Sequence, residues 1–166
     1  PHAVVEVGSY CGKATVALAH TALARDAATR LCSIDAHDGV VGSRDARLEH
    51  LGPTRHKLEA NLARFGLAER VELHTARAEQ VAWNAPIQLL VIDGLHDYAS
   101  VSKDFQHFSD WVTEGGYVAF HDYADYFPGV QRFVDELLTS DEWHRERSAG
   151  SLLVVRRRRI AQSAAE

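Results

Sequence analysis

The sequence predicts a doubly wound α/β domain, and three observations carry that expectation. Val4, Val5 and Val7 form a β-branched run that leads into glycines at positions 8 and 12 and then into small helix-forming residues. Short apolar strands then alternate with helical stripes, the order that builds a parallel sheet covered on both faces. Acids stand at or just after strand ends, at Asp35, Asp93 and Asp122. Ligands of open parallel sheets sit beyond those carboxyl ends.

Each element has its own signature. Continuous apolar residues make Val4–Val7 a strand covered on both faces. The run from Ala14 is rich in alanine, with Val16, Ala19 and Leu23 on one helical stripe. Leu31–Asp35 is a short second strand ending in an acid. Leu58, Leu62 and Phe65 stripe a helix closed by Gly66, and Val71–His74 is the third strand. Ile87–Ile92 is the fourth strand and the most apolar. Val101, Phe105, Phe108, Trp111 and Val112 stripe a helix expected to stop at Gly115–Gly116, before a fifth strand at Tyr117–Phe120. Pro128 marks a helix start, followed by Val130, Phe133, Val134, Leu137 and Leu138 on one face. Trp143–Arg147 and Leu152–Arg156 read as an antiparallel hairpin around Ala149–Gly150. The count is seven strands, mostly parallel and Rossmann-like, with helices on both faces. The aromatic and aliphatic stripes are core.

The glycine loop is expected to turn sharply and let the backbone approach a ligand. It is not a P-loop, because three residues separate Gly8 from Gly12 and Ala14 follows Lys13. Nor is it a dinucleotide fingerprint, since Tyr10 stands where that motif needs glycine. Asp35 lies 23 residues beyond Gly12, near the offset at which an acid accepts hydrogen bonds from ribose hydroxyls.

The string VEVGSYCGKAT with a second-strand acid resembles the class I S-adenosylmethionine-dependent methyltransferases. LLVIDGLHDYASVSKDF, EGGYVAFHDY and PGVQRFVDEL narrow the likeness to a bacterial subgroup allied to catechol-type and macrolide-sugar O-methyltransferases. The resemblance implies an enzyme transferring methyl from S-adenosylmethionine to a hydroxyl of a small molecule or sugar. It places the cofactor against Glu6, Gly8, Ser9, Tyr10, Gly12, Asp35, Ala36, Arg77, Ala78 and Asp93. In metal-dependent relatives, positions matching Asp93 and Asp122 hold a cation, Mg²⁺ or Mn²⁺, that binds acceptor oxygens. His121 replaces the acid usual before Asp122, and imidazole shifts the preference toward Mn²⁺, Fe²⁺ or Zn²⁺. His96, three residues past Asp93, matches a base in the allied sugar enzymes.

Physical chemistry supports several of these placements. Two carboxylates converging after adjacent strands repel unless protonated or bridged by a cation. A hydroxyl attacking a sulfonium methyl must lose its proton, and histidine titrates near neutrality. His96 is therefore the expected catalytic base beside Asp93, although capping a loop or supporting Asp122 is the bland alternative. His37 also faces the expected crevice or shapes its turn. The loop from His37 to Pro53 is long enough for a lid.

Composition sets the remaining expectations. The chain has 166 residues, 46% apolar and 25% charged, ordinary for one globular domain. Its net charge of −5 gives no overall basic field to recruit nucleic acid. Cys11 and Cys32 make no disulfide framework, which suggests a reducing compartment. With no signal peptide and no membrane-spanning apolar stretch, a cytoplasmic protein is expected. Residues 1–166 are expected to form one domain without the helices that usually precede the first strand in the family. Residues 156–166 are expected to fray, and homo-oligomerisation stays open. Two alternatives remain: a binding module without methyl transfer, and a nicotinamide- or nucleotide-dependent enzyme, disfavoured by the loop spacing.

Overall fold

The structure, a computed structural model, describes residues 2–39 and 52–159. The first apolar run forms β1 (Ala3–Val7), and α1 (Lys13–Arg25) follows the glycine loop. Next come β2 (Arg30–Ile34), α2 (Arg55–Arg64), β3 (Glu72–His74), β4 (Ile87–Ile92) and α3 (Tyr98–Phe108). β5 (Val112–Phe120), α4 (Pro128–Leu137), β6 (Trp143–Ala149) and β7 (Leu152–Arg157) complete the chain. The strands join in one seven-stranded sheet of order β3-β2-β1-β4-β5-β7-β6. β1 pairs in parallel with both β2 and β4, so the strand order reverses between β1 and β4. β7 pairs antiparallel with β5 and β6. The doubly wound fold expected from the sequence is the fold observed.

Strand alternation sends successive side chains to opposite faces. Val5 and Val7 pack with Ile34, Leu90 and Ile92 in the core that α3 and α4 cover. Val4 packs with Leu31 and Leu73 in a second core under α1 and α2. In that second core Leu58 and Leu62 are almost fully buried, each worth about 1.5–3 kcal/mol of transfer free energy. No helix among the described residues is long and apolar enough to cross a membrane.

Several boundaries differ from expectation for physical reasons. α2 stops at Arg64, and Phe65 lies beyond it, 49% exposed. Gly66 at φ +68° lets the chain reverse, with Leu67 N donating to Leu62 O and Gly66 N to Ala63 O. Those bonds satisfy the last carbonyls of the helix and bring Leu67 inward in place of Phe65. α3 ends at Phe108, so Trp111 is exposed in a short 3₁₀ turn and Val112 opens β5. Gly115 and Gly116 lie inside that strand, where residues 113–116 oppose the single Gln88. This bulge takes Gly115 to φ +76°. Arg156 and Arg157 belong to β7 rather than a frayed tail: Arg157 donates to the carbonyls of Ser109 and Val112, and Arg156 stacks over Tyr117. Residues 160–166 and most of the expected lid, 40–51, lie outside the described residues.

Candidate active site

The glycine loop is shaped by its neighbours in the chain. A Cβ on Gly8, at φ +89°, would stand 2.2 Å from the backbone oxygen of Asp93. One on Gly12, at φ +85°, would meet Leu58 Cδ1 at 2.4 Å. Gly8 therefore lets the loop after β1 lie directly on the loop after β4, and Gly12 seats α1 on α2. These close approaches are between protein segments, and Gly8 also lines the cleft at the sheet's carboxyl edge.

Asp35 is held by its own surroundings. Tyr10 N donates to one carboxylate oxygen and His37 N to the other, both at 2.7 Å. Each oxygen keeps a further lone pair for a ligand, and the side chain is 20% exposed. His37 is buried, with its ring 2.9 Å from Thr54 Oγ1 and its backbone at φ +52°. Burial lowers its pKa. It shapes the turn after β2 and does not line the cleft.

Glu6 is not on the cleft wall. It shares a strand face with Val4, turns toward α1, and accepts from Thr15 Oγ1 at 2.5 Å with only 2% exposure. Its Oε1 has no hydrogen-bond partner among the described residues. Burial, partly countered by Thr15, pushes its pKa up to about 7. The folded state thus retains a proton that the unfolded chain releases near the ordinary value of 4.5. Stability contributed by this group is lost as pH rises between those values. Glu6→Gln is expected to leave stability near pH 4.5 unchanged and to raise it at pH 8 by about 3 kcal/mol. Urea unfolding at both pH values reads this, and equal gains at both would reject the buried-acid account.

A cleft of about 710 Å³ opens at the carboxyl edge of the sheet, where strand order reverses. Gly8, Ser9 and Tyr10 of the loop line it, with Asp35 and Ala36 after β2. Arg77 and Ala78 after β3 and Asp93 after β4 form the other walls. Arg77 turns outward to Asp38 at 2.9 Å, an exposed pair at the rim of little energetic weight. Ser9 and Ala78 are almost fully buried. Gly12 is absent from the wall. Lys13, Ser100, Lys103 and Asp104 line the cleft without having been singled out in the sequence. Asp104 had a legible signal: it is an acid on the face that Val101, Phe105 and Phe108 otherwise make apolar.

At the β4–β5 side, Asp93, His96, His121 and Asp122 converge, with one donor atom of each within 4.8 Å of the others. His121 Nδ1 lies 3.0 Å from Asp93 Oδ1 and 3.2 Å from Asp122 Oδ2. His96 Nε2 lies 3.2 Å from Asp122 Oδ2 and 3.7 Å from Asp93 Oδ1. Its ring packs on Phe127 with centroids 4.3 Å apart, leaving the side chain 13% exposed. Asp122 has φ +56°, a left-handed turn that aims its carboxylate back at Asp93. Tyr126 and Ser151 donate to its other oxygen. Burial raises the pKa of Asp93, but bonding to His121 and His96 outweighs it and leaves the group below its ordinary value. The Asp93 carboxylate, with Asp122 beside it, pushes His121 up to about 9.

The chain belongs to the methyltransferase-domain family, whose pattern matches residues 5–123. Among solved structures it is similar to the O-methyltransferase NovP, at 21% identity over 96% of this chain and 73% of that one, with a TM-score of 0.79. TomG from Streptomyces achromogenes, an O-methyltransferase of tomaymycin synthesis solved with SAM, gives 17% identity, 95% and 73% coverage and a TM-score of 0.67. CalS11, a TDP-rhamnose 3'-O-methyltransferase of calicheamicin biosynthesis, gives 18% identity, 94% and 71% coverage and a TM-score of 0.65. These likenesses establish a shared fold. An uncharacterized protein, R132, of Acanthamoeba polyphaga mimivirus is 39% identical over 57 residues, which is 31% of this chain. The match spans about a quarter of that relative's length (26%).

Proposed function

We propose that this chain transfers the methyl group of S-adenosylmethionine to a hydroxyl of a small molecule or sugar. The observation that carries the reading is one cleft with two chemically distinct ends: Asp35, held with free lone pairs, and the Asp93–His96–His121–Asp122 cluster. TomG, a structural neighbour, was solved with SAM, and CalS11 is a TDP-rhamnose 3'-O-methyltransferase. Bound in the cleft, S-adenosylmethionine supplies a methyl group already activated by sulfonium charge. The chain's task is then alignment and proton removal. Asp35 accepts the ribose hydroxyls, and the amino-terminal end of α1, near Lys13, offers unpaired backbone N–H groups to the carboxylate tail. His96 takes the acceptor's proton, its ring held by Phe127 and by Asp122.

The donor set at the cluster fits a divalent cation: two carboxylates and an imidazole, separated by 3.0–3.2 Å. Asp93, His121 and Asp122 would hold it, and it would lower the pKa of an acceptor hydroxyl. A proton on His121, whose pKa is pushed up to about 9, offsets part of the charge of the two acids. The imidazole in the set favours Mn²⁺, Fe²⁺ or Zn²⁺ over Mg²⁺.

Calorimetry with S-adenosylhomocysteine tests the cofactor end. Asp35→Ala is expected to weaken binding by about 1.5–3 kcal/mol, the range for hydrogen bonds to a charged group. Unchanged affinity in a folded variant would remove Asp35 from the site, and tighter binding of NAD would sink the reading altogether. Turnover across a panel of hydroxylated acceptors separates an enzyme from a binding module.

A further inference from the structure

We propose that Asp104 reads the hydrogen-bonding edge of the adenine base, a proposal that rests on the cleft being an S-adenosylmethionine site. Positions 101, 104, 105 and 108 share one face of α3 by the helical period. Three of them are buried apolar residues, and the fourth is this acid. Asp104 is half-buried on the cleft wall, and among the described residues no hydrogen bond reaches its carboxyl group. An acid kept at such a position without a partner costs stability, which is the mark of a group retained for a ligand.

The neighbouring polar groups are committed elsewhere. Ser100 Oγ donates to Asp97, Lys103 Nζ pairs with Glu79 at 2.6 Å, and Arg77 pairs with Asp38. The facing wall after β3 presents Ala76 and Ala78, which have no polar side-chain atoms to offer. Gly94 keeps the approach open, because a Cβ there would stand 3.2 Å from Asp104 Oδ2. A slot bounded by alanine and glycine suits a flat ring, and among the described residues Asp104 is the group left to meet its edge. The adenine edge carries a donor amine beside an acceptor ring nitrogen. Burial pushes the Asp104 pKa up to about 7, so near neutral pH its carboxyl group both accepts and donates. That pair of functions complements the pair on the base.

The test uses two probes, S-adenosylhomocysteine and its analogue with unsubstituted purine in place of adenine. Calorimetry on the wild type should show the analogue binding about 10–100-fold more weakly, as loss of paired hydrogen bonds predicts. Asp104→Asn, which keeps one acceptor and one donor, should bind and discriminate much as the wild type does. Asp104→Leu should lose about 10–100-fold for S-adenosylhomocysteine and bind both probes alike, with a melting temperature at or above the wild type's. Asp104→Leu binding S-adenosylhomocysteine as tightly as the wild type, or still preferring it over the analogue, would overturn the assignment. A wild type that binds neither probe would instead bring down the reading of the cleft itself.

Discussion

Replacing His96 with alanine is expected to lower turnover by about 10²–10⁴-fold, the usual contribution of a positioned base, with S-adenosylhomocysteine affinity nearly unchanged. The separation of effects follows from geometry. His96 stands on the loop between β4 and α3, with its Nε2 facing the carboxylates of Asp122 and Asp93. Asp35, the expected ribose contact, stands after β2, on the far side of β1. Phe127 supports the imidazole on one side, so the ring enters the cleft in a fixed orientation. Steady-state kinetics with a productive acceptor would show a fall in kcat, and calorimetry would show an intact cofactor site. A loss below tenfold, or a loss of affinity matching the loss of rate, would move the base elsewhere. Phe127→Leu gives a graded control: it removes the ring support and keeps the imidazole, so its defect should be the smaller one.

What the sequence disclosed, and what it withheld, follows from the range of the forces involved. The β1–loop–α1 unit was legible because glycine punctuation and strand composition are local. The order of strands followed from alternation, and it put Asp93 and Asp122 after neighbouring strands. Their convergence beside His121 was expected from that order, whereas the left-handed turn at Asp122 that sets its geometry was not legible. The end of α3 was missed for the opposite reason. Trp111 and Val112 continue the helical period, yet pairing of Val112 with Ile87 recruits Val112 into a bulged strand and leaves Trp111 in a 3₁₀ turn. Tertiary pairing there outweighs a local pattern.

Glu6 illustrates a signal that was available and overruled. Motif likeness placed it on the ligand wall, whereas strand parity assigns it to the face of Val4, beneath α1. The structure follows parity. Asp104 is the converse, an acid interrupting an apolar stripe that the periodic reading passed over. In both cases a charged residue on a buried face was the observation with most to say.

Gly8→Ala is expected to be the most damaging glycine-to-alanine change among the described residues, destabilising by about 2–5 kcal/mol. Two terms add. A left-handed backbone costs an L-residue about 1–2 kcal/mol, and overpacking against atoms that cannot yield costs a further 1–3 kcal/mol, approximately. The new Cβ would stand 2.2 Å from the Asp93 carbonyl oxygen, 2.4 Å from its carbon and 2.6 Å from Gly94 N. All three are backbone atoms at the end of β4, so relief requires the two loops that floor the cleft to part. Two other glycines calibrate the effect. Gly66, at φ +68°, has nothing within 4 Å of the added methyl, so its alanine variant pays the backbone term alone, about 1–2 kcal/mol. Gly12 meets the flexible end of Leu58 at 2.4 Å, which can move, and its variant should fall between the others. Urea midpoints should therefore order wild type above Gly66→Ala, then Gly12→Ala, then Gly8→Ala, with S-adenosylhomocysteine affinity lost in the last even where it is folded. A Gly8→Ala variant no weaker than Gly66→Ala would mean that the loops after β1 and β4 do not touch, and the cleft built on that contact would have to be redrawn.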